Sequence, residues 1–381
     1  MIKCVICCGG TGGHLAPGIA LAEGLNKRGH LSRLIISNKE VDSRLLWNYP
    51  ELERLTVPGK PFHWHPFKFL RFFTSHFFGF FYGMRYLIRQ KPDVLIGFGG
   101  FSTVGMAVAA FLLKIPIILH EANRRPGRAI KFLSILSTRI YLPRGVRVNS
   151  LLPKVVRYYG YPLREALCGV GQEKAQRDMQ FDVDGPLLLV LGGSQGAVAL
   201  NQWVEAQFEA LAWEGINVCC ITGLNKGEEK EITATSKDGK VIRGYFLPFC
   251  DNMPELLSSA DLAIARAGAG SIAEFIRCRL PSILIPYPHS MDDHQVENAL
   301  FHERHGCGIV LREENLDKLL DEVKTFFKQN SLLQNMRHNL ELLDRNDAVG
   351  MILDDVEEIV EKRRLKRESG MHEIATGGYY G

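Results

Sequence analysis

Short apolar runs alternate with segments of helix length along this chain, a pattern typical of a parallel α/β fold. In the first half, the apolar run 3–8 leads into the glycine-rich segment GGTGGH (9–14), and a helix is predicted over 16–27. In the second half, the run 186–191 leads into GGSQGA (192–197), and a helix is again predicted after it. The same order of elements therefore begins twice.

The repeat continues further along both halves. PDVLIGFGG (92–100) and PIILHEAN (116–123) in the first half correspond to ADLAIARAGAGS (260–271) and PSILIPYPHS (281–290) in the second. This order predicts two Rossmann-like domains that face each other across a cleft. Their glycine loops are expected at the carboxyl ends of the strands, where such sheets bind ligands.

The length of 381 residues also suits two domains. We place the boundary near GYPLR (160–164), which gives an N-terminal domain over 1–163 and a C-terminal domain over 164–350. A last helix over about 351–366 is expected to pack back on the first domain, and 367–381 to form a disordered tail. No signal peptide is expected at the N-terminus.

The nine cysteines are scattered, and Cys4 and Cys7 form the only Cys-x-x-Cys pair near the start of the chain. An odd offset within a strand points two side chains to opposite faces of the sheet. We therefore expect the cysteines inside apolar runs, Cys4, Cys7, Cys8, Cys219 and Cys220, to be small buried hydrophobes, as is usual in a reducing cytosol, and not metal ligands or a redox pair.

The net charge of +4 conceals an asymmetry between the halves. Residues 1–164 carry 24 Lys and Arg against 7 Asp and Glu, whereas the remainder carries 22 against 35. No acidic residue occurs in 55–92 or 122–164. The first half is therefore predicted to meet an anionic partner, which could be nucleic acid, anionic lipid or a phosphorylated substrate.

The two glycine loops are candidates for binding phosphate, because a glycine turn lets the backbone approach a ligand and the helix N-terminus supplies N–H donors. Each loop could also be only a tight structural turn, but two matched loops favour a ligand. Neither matches G-x-G-x-x-G or a Walker loop. A nicotinamide dehydrogenase is disfavoured, since the second strand ends in Ser37 and Asn38 where an acid is needed.

Polar residues follow the strands at the predicted ligand-binding edge. His14 comes directly after the first glycine loop and could remove a hydroxyl proton near neutral pH, or it could merely cap the helix. Glu121 in HEAN could orient His14 or act as the base itself. In the second half, Glu274 could accept both ribose hydroxyls of a nucleotide, or could merely complement a helix dipole. Ser271 is expected to cap that same helix.

Further polar residues suit a sugar nucleotide. His294, Gln295 and Asn298 follow the second proline-led strand and could bind sugar hydroxyls, and Arg164 could bridge a diphosphate. No cluster with metal-ligand spacing is apparent, so no metal site is predicted. Stabilisation of a departing diphosphate would then depend on helix N-termini and arginine.

The segment 61–91 is rich in phenylalanine and basic residues, yet only 13 residues separate Arg71 from Arg85, too few for a membrane-spanning helix. At 100° per residue its basic residues fall on one arc, as in a helix that lies in a membrane interface. An ordinary core helix is the alternative, and Gly79 and Gly83 are expected to break the segment in two. The predicted membrane contacts are Lys68, Phe69, Arg71, Phe72, Phe73, Phe77, Phe80, Phe81 and Arg85.

Six motifs in order across about 2–300 resemble the MurG family: GGTGGH, GFGGFSTVG, HEAN, GYPLR, GGSQGA with LN shortly after, and PFCDNMPELLSSADLAIARAGAGSIAE through DHQVENA. The resemblance implies the GT-B fold and inverting transfer of N-acetylglucosamine from UDP-GlcNAc to the MurNAc hydroxyl of lipid I, the undecaprenyl-diphosphate-linked MurNAc-peptide. It also implies a metal-free and cofactor-free enzyme of peptidoglycan synthesis, cell shape and cell division, peripheral on the cytoplasmic face of the bacterial membrane.

The resemblance implies site residues wherever the motifs match. Thr11, Gly12, Gly13 and Asn123 would line the cleft. The donor would be held by Arg164, Ser194, the backbone of Cys250, Gln295 and the turn formed by Ala269, Gly270, Ser271, Ile272, Ala273 and Glu274. His14 is the favoured base.

Two residues depart from the family pattern. The family usually has Gln where Ala122 stands and Asn where Tyr161 stands. Rival functions are a diacylglycerol glycosyltransferase, a UDP-GlcNAc 2-epimerase, or a membrane-docked UDP-sugar-binding subunit without its own activity. Nucleic-acid binding is disfavoured, because the aromatic residues cluster in one apolar run and are not spread among the basic residues.

Overall fold

The computed structural model describes residues 1–9, 12–57, 79–146, 148, 151, 155–167, 185–193, 196–224, 226–290, 293–344 and 347–376. The chain divides into two compact units. The first contains Met1–Glu121, Pro126–Pro162 and Asp347–Gly381, and the second contains Ala122–Arg125 and Leu163–Asn346. The division after Pro162 lies one residue before the boundary expected from the sequence.

The first unit is built on a seven-stranded sheet in which every pair of neighbouring strands is parallel. Its strand order β3-β2-β1-β4-β5-β6-β7 contains the Rossmann order and places a switch point between β1 and β4. The strands are β1 (Lys3–Cys7), β2 (Leu31–Ile36), β3 (Arg54–Thr56), β4 (Val94–Gly97), β5 (Ile117–His120), β6 (Arg139–Tyr141) and β7 (Val156–Arg157).

Helices cover both faces of this sheet, which is why its central strands are buried along their whole length. They are α1 (Gly12–Lys27), α2 (Glu40–Leu45), α3 (residues 79–90), α4 (Phe101–Leu112) and α5 (Arg128–Leu133), with 3-10 turns at Leu46–Asn48 and Ser134–Leu136. Helix α1 begins four residues before the predicted helix and ends at Lys27, with Gly29 in a left-handed conformation beyond it.

Helix α3 runs through Gly83 without a break, contrary to the expectation that this glycine would interrupt the segment. A Cβ at Gly83 would lie 2.7 Å from Sδ of Met106 in α4. The glycine therefore allows close packing of two helices, which outweighs its low helix propensity.

The second unit repeats the plan with strand order β10-β11-β9-β8-β12-β13-β14. All pairs are parallel except the edge hairpin β10-β11. The strands are β8 (Leu187–Leu191), β9 (Asn217–Ile221), β10 (Lys230–Thr235), β11 (Val241–Leu247), β12 (Leu262–Ala265), β13 (Ser282–Leu284) and β14 (Gly308–Val310). Its helices are α6 (Val198–Trp213), α7 (Met253–Ser259), α8 (Ala269–Cys278), α9 (His294–Arg304), α10 (Leu319–Lys328) and α11 (Asn330–Leu343), with 3-10 turns at Glu165–Leu167 and Glu313–Lys318.

The last helix, α12 (Ala348–Thr376), returns to the first unit. Its apolar face joins the core beneath α1, and a Cβ at Gly24 of α1 would lie 2.8 Å from Leu353. Buried Asp355 fixes it to the sheet through Arg139 and the Tyr141 hydroxyl at 2.8 Å and 3.0 Å. The helix is longer than the predicted 351–366, and 367–376 is helical where a disordered tail was expected, because this stretch lacks proline and is rich in helix formers.

The cysteine prediction is confirmed where the structure describes these residues. Cys4 belongs to the core on one face of the first sheet and Cys7 to the core on the opposite face. Burial raises the pKa of the Cys7 thiol to about 12, so neither its position nor its chemistry suits a redox pair.

No helix within the described ranges is both long enough and apolar enough to span a bilayer. Within those same ranges, no group of three or more His, Cys, Asp and Glu side chains could hold a metal ion.

Candidate active site

The first glycine loop needs glycine where β1 ends. A Cβ at Gly9 would lie 2.5 Å from the backbone nitrogen of Ser37, beyond the end of β2. The following helix α1 contains Gly12 and Gly13 in its first turn, while Thr11 lies outside the described residues. The backbone of Gly9 therefore lies too close to Ser37 to admit a side chain, and α1 begins three residues later.

His14 is the third residue of α1 and is half-buried. Its Nδ1 atom is buried and has no hydrogen-bond partner in the part of the chain that the structure describes. Burial lowers the pKa of His14 to about 4; Asp42 acts to raise it and Lys39 to lower it further. His14 is therefore neutral at pH 7 and retains a ring lone pair, as a general base must.

The second glycine loop of this unit lies against the same imidazole. Gly100 has a φ of +74°, and a Cβ there would lie 3.6 Å from Nδ1 of His14. Thr103 in α4 fixes the loop, since its buried hydroxyl donates to the Gly99 carbonyl at 2.6 Å. This small polar residue was not singled out in the sequence, although it lies within the motif GFGGFSTVG.

His120 is a second buried imidazole at the same edge, at the end of β5. Its Nε2 donates to the Gly160 carbonyl at 2.9 Å, which leaves Nδ1 as an acceptor that has no partner among the described residues. Burial lowers the pKa of His120 to about 4, with the Gly160 carbonyl opposing and His14 reinforcing the shift. Glu121 and Asn123 in the motif HEAN were predicted as site residues, but His120 was not.

Glu121 has a structural task in this arrangement. Its carboxylate is buried and accepts the Gly127 N–H at 2.8 Å, immediately before α5 begins. Carboxylate groups are favoured at such helix starts, because they satisfy free N–H groups and complement the helix dipole. The geometry therefore favours His14 over Glu121 as the base.

Asn123 lies in the segment Ala122–Arg125, which belongs to the second unit. Asn298 in α9 holds this segment, because its Oδ1 accepts the Arg124 N–H at 3.0 Å and its Nδ2 donates to Asn123 Oδ1 at 3.1 Å. The same Nδ2 donates to the Ala267 carbonyl at 3.2 Å. Both N–H bonds of the Asn298 amide are thus used within the protein, so Asn298 positions Asn123 and does not suit the predicted sugar contact.

Buried Arg164 and half-buried Glu274 form an ion pair in the second unit. Arg164 Nη2 donates to Glu274 Oε1 at 3.2 Å, and the two side chains are 9% and 18% exposed. Burial raises the pKa of Glu274 above its ordinary value, and the charge and hydrogen bond of Arg164 oppose that shift. The sequence predicted ligand roles for both residues without predicting that they would be partners.

The residues 269–274 occupy the first turns of α8, as expected for a ligand-binding helix N-terminus. The helix begins at Ala269 with Gly268 as its N-cap, and no side chain caps it. The expected capping role of Ser271 is therefore wrong, because Ser271 is already the third helical residue. The first N–H groups of α8 are left available to a ligand.

Gln295 and Arg266 shape the loop after β13. Gln295 Oε1 accepts the Tyr287 N–H at 2.8 Å. Arg266, buried after β12, donates to the Ile285 carbonyl at 3.2 Å and pairs with Glu313. Arg266 was not predicted as a site residue; the only indication in the sequence is a basic residue at the end of the run ADLAIA.

The second glycine-rich segment is as constrained as the first. A Cβ at Gly192 would lie 2.1 Å from the Ala197 nitrogen, and one at Gly196 would lie 2.2 Å from the Thr222 carbonyl oxygen. Ser194 lies outside the described residues. Cys250 is half-buried in the loop between β11 and α7.

Both halves of the chain match family models. Residues 4–142 match the glycosyltransferase family 28 N-terminal domain, and residues 187–350 match its C-terminal domain. The chain belongs to glycosyltransferase family 28. It is therefore an enzyme of the transferase class, and the two matches correspond to the two Rossmann-like units.

Named relatives of this family-28 chain span almost its whole length. It is 46% identical to the UDP-N-acetylglucosamine--N-acetylmuramyl-(pentapeptide) pyrophosphoryl-undecaprenol N-acetylglucosamine transferase of Opitutus terrae, over 93% of this chain and 94% of that protein. The enzyme of the same name from Myxococcus xanthus is 32% identical over 93% and 92%.

Solved structures support the fold. The crystal structure of Acinetobacter baumannii MurG has a TM-score of 0.66 at 22% identity, covering 93% of this chain and 99% of that one. A putative UDP-N-acetylglucosamine 2-epimerase from Listeria monocytogenes also gives 0.66, at 12% identity, over 95% and 97%. The predicted GT-B fold and the predicted resemblance to the MurG family are thus confirmed, while the fold alone does not separate transferase from epimerase.

Proposed function

We propose that this family-28 enzyme transfers N-acetylglucosamine from UDP-GlcNAc to the MurNAc hydroxyl of lipid I and so forms lipid II for peptidoglycan. The observation that carries the proposal is the 46% identity to a transferase of that name over 93% of the chain, since both units are included in the match. The same observation argues against the epimerase, to which the chain is similar only in fold.

The first unit would supply the base. The His14 imidazole, whose buried Nδ1 has no partner among the described residues, lies beside the glycine loop that ends at Gly100. A bound diphosphate would raise the pKa of His14, because a nearby negative charge favours the imidazolium form. Binding of the phosphorylated acceptor would thus strengthen the base that must take the hydroxyl proton as the hydroxyl attacks the anomeric carbon.

The second unit would hold the donor. Glu274 is proposed to accept the ribose hydroxyls, with Arg164 keeping its buried carboxylate charged. The free N–H groups at the start of α8, together with the backbone of Cys250 and the side chains of Ser194 and Gln295, would bind the rest of UDP-GlcNAc. Departure of UDP would be assisted by N–H groups and arginine, which stabilise developing phosphate charge.

The first unit is also proposed to rest on an anionic membrane at the cytoplasmic face, where lipid I is held. Helices α3, α4 and α5 pack on the same face of the first sheet and contain no acidic residue. Their outer sides carry exposed Arg85, Arg89 and Lys131. Large exposed apolar side chains accompany these cations, namely Phe81, Tyr82, Ile88, Phe111, Leu112 and Phe132.

This combination suits a lipid interface, where apolar side chains enter the acyl boundary and basic ones meet head groups. Phe80 differs from the predicted contacts Phe81 and Arg85, because it is half-buried and packs toward the sheet. The predicted contacts Lys68, Phe69, Arg71, Phe72, Phe73 and Phe77 lie outside the described residues.

Labelled UDP-GlcNAc, offered to the purified chain with and without lipid I, tests the reaction. Label is expected in lipid II only when lipid I is present. Formation of a UDP-sugar epimer without lipid would instead identify an epimerase, and binding without turnover in either condition would identify a non-catalytic subunit.

Sedimentation with vesicles tests the membrane contact. Arg85→Glu with Arg89→Glu is expected to weaken binding to vesicles that contain anionic lipid, by ~1 kcal/mol or more per charge reversed. Glu209→Lys, an exposed change in the second unit, is the control. Equal binding of the double variant and the unaltered chain would contradict the proposed surface.

A further inference from the structure

The turn at Gly160 and Tyr161 reaches two parts of the candidate acceptor site. The Gly160 carbonyl accepts from His120 Nε2 at 2.9 Å, and the glycine has a φ of +91° that favours a residue without a side chain. The Tyr161 hydroxyl donates to the Gly13 carbonyl at 3.3 Å. The Tyr161 ring meets the His120 ring edge to face, with centroids 6.1 Å apart.

The hydrogen bond from Tyr161 affects the position of His14 through the adjacent residue, Gly13. Gly13 precedes His14 directly, in the first helical turn of α1, so a shift of the Gly13 carbonyl moves the start of the helix and the His14 side chain with it. On its other side, the His14 imidazole lies against Gly100. His14 therefore lies between the glycine turn at Gly100 and the Gly13 carbonyl, which accepts the Tyr161 hydroxyl.

We propose that Tyr161 is a positioning residue for the transfer reaction, which holds the first turn of α1 against His120 and thereby fixes His14 beside the glycine loop. The inference rests on the proposed function, in which His14 is the base. Asparagine, which the family usually has here, offers no ring to His120 and has a much shorter reach to Gly13.

The chemistry explains why such a contact would matter. A neutral imidazole acts as a base only when its lone pair is kept in place and water does not occupy the same position. The charged groups that act on the pKa of His14 are Asp42 and Lys39, and His14 in turn lowers the pKa of His120. Removal of the Tyr161 hydroxyl leaves these groups in place. A change in the pKa of His14 after that removal therefore reports on the position of its imidazole and on the access of water to it.

The test is Tyr161→Phe, which keeps the ring against His120 and removes the hydroxyl that donates to Gly13. Tyr158→Phe is the matched control, since Tyr158 lies three residues away and is 43% exposed. His14 is followed by NMR in protein labelled at histidine, and its signal is assigned from its loss in His14→Gln. In the unaltered chain this signal is expected not to titrate above pH 5, because burial lowers the pKa of His14 to about 4.

In Tyr161→Phe, water is expected to reach the His14 imidazole. The midpoint of the His14 titration should then rise by one pH unit or more toward the ordinary value of about 6.5. Turnover with lipid I should fall about three- to tenfold, the factor that one ordinary hydrogen bond provides. The KM for UDP-GlcNAc should not change. Tyr161→Asn, which removes ring and hydroxyl together, should shift the midpoint at least as far.

An unchanged His14 titration in both Tyr161 variants would overturn the proposal, even if turnover fell, because the tyrosine would then act without positioning His14. The same holds if Tyr158→Phe produced an equal shift. Failure of the base assignment is separately recognisable, since His14→Gln would then turn over normally while the NMR result for Tyr161 kept its meaning.

Discussion

Replacement of Glu274 by glutamine tests the donor site with little change in shape. The carboxylate is proposed to accept two ribose hydroxyls while Arg164 binds it from within the protein at 3.2 Å. A hydrogen bond to a charged acceptor is worth ~1.5–3 kcal/mol, and a neutral one about half as much. Two weakened bonds should therefore cost ~1.5–3 kcal/mol, which raises the Kd for UDP-GlcNAc roughly 10- to 100-fold.

The pH dependence of donor binding is a second, independent test of the role of the Glu274 carboxylate. Burial raises the pKa of Glu274 above its ordinary value. Only the ionised form accepts both hydroxyls, so affinity should be full well above this raised pKa and should fall as the pH is lowered through it. Glu274→Gln does not titrate and should lose that dependence.

Calorimetric titration of UDP-GlcNAc at pH 5, 6 and 7.5 measures both effects. Glu209→Gln in α6 is the control, because Glu209 is an exposed glutamate of the same unit. Arg164→Met should weaken binding at pH 7.5 even with Glu274 intact, since the buried carboxylate would lose the charge that favours its ionised form. A Kd for Glu274→Gln that equals that of the unaltered chain would refute the ribose assignment.

Two further predictions concern the first unit. His14→Ala is expected to lower turnover with lipid I at least about 100-fold while calorimetry finds unchanged affinity for UDP-GlcNAc; normal turnover would remove His14 from the mechanism. Asp355→Ala should lower the free energy of unfolding of the first unit by ~3–5 kcal/mol in thermal denaturation, because it leaves Arg139 without its buried partner. Asp354→Ala, whose carboxylate is 70% exposed, should cost under about 1 kcal/mol, and equal losses in the two variants would contradict the role given to Asp355.

The repeated order of strands and glycine loops was readable from the sequence, because each buried parallel strand is a continuous apolar run bounded by a loop. The same pattern placed His14 and Glu274 at strand-to-helix junctions, where the structure has them. Local periodicity decides such features, so they need no knowledge of the rest of the chain.

The hydrogen-bond partners of the site residues could not be predicted from the sequence, because they lie far apart in the chain. Nothing near Arg164 indicates that Glu274, 110 positions away, shares its burial. Similarly, Asn298 donates to Asn123 from 175 positions away, so the sequence did not indicate that its amide is used within the protein. Polar side chains at a predicted binding edge thus divide into ligand-binding and positioning residues only when their hydrogen bonds are known.

Six strands of the second unit, β11-β9-β8-β12-β13-β14, follow the same order as β3-β2-β1-β4-β5-β6 of the first, but the corresponding loops differ in their electrostatics. The second offers a carboxylate and a guanidinium that are already paired, so a neutral ribose can bind there without bringing new charge. The first offers the uncharged imidazoles of His14 and His120, despite the excess of basic residues in the first half of the chain. Burial disfavours the positively charged imidazolium form of these histidines and so lowers their pKa. A nearby anion favours that form and raises the pKa again. In the proposed reaction, such a site would be a weak base while empty and a stronger one once a diphosphate-linked acceptor binds, which would couple proton removal to the presence of the substrate.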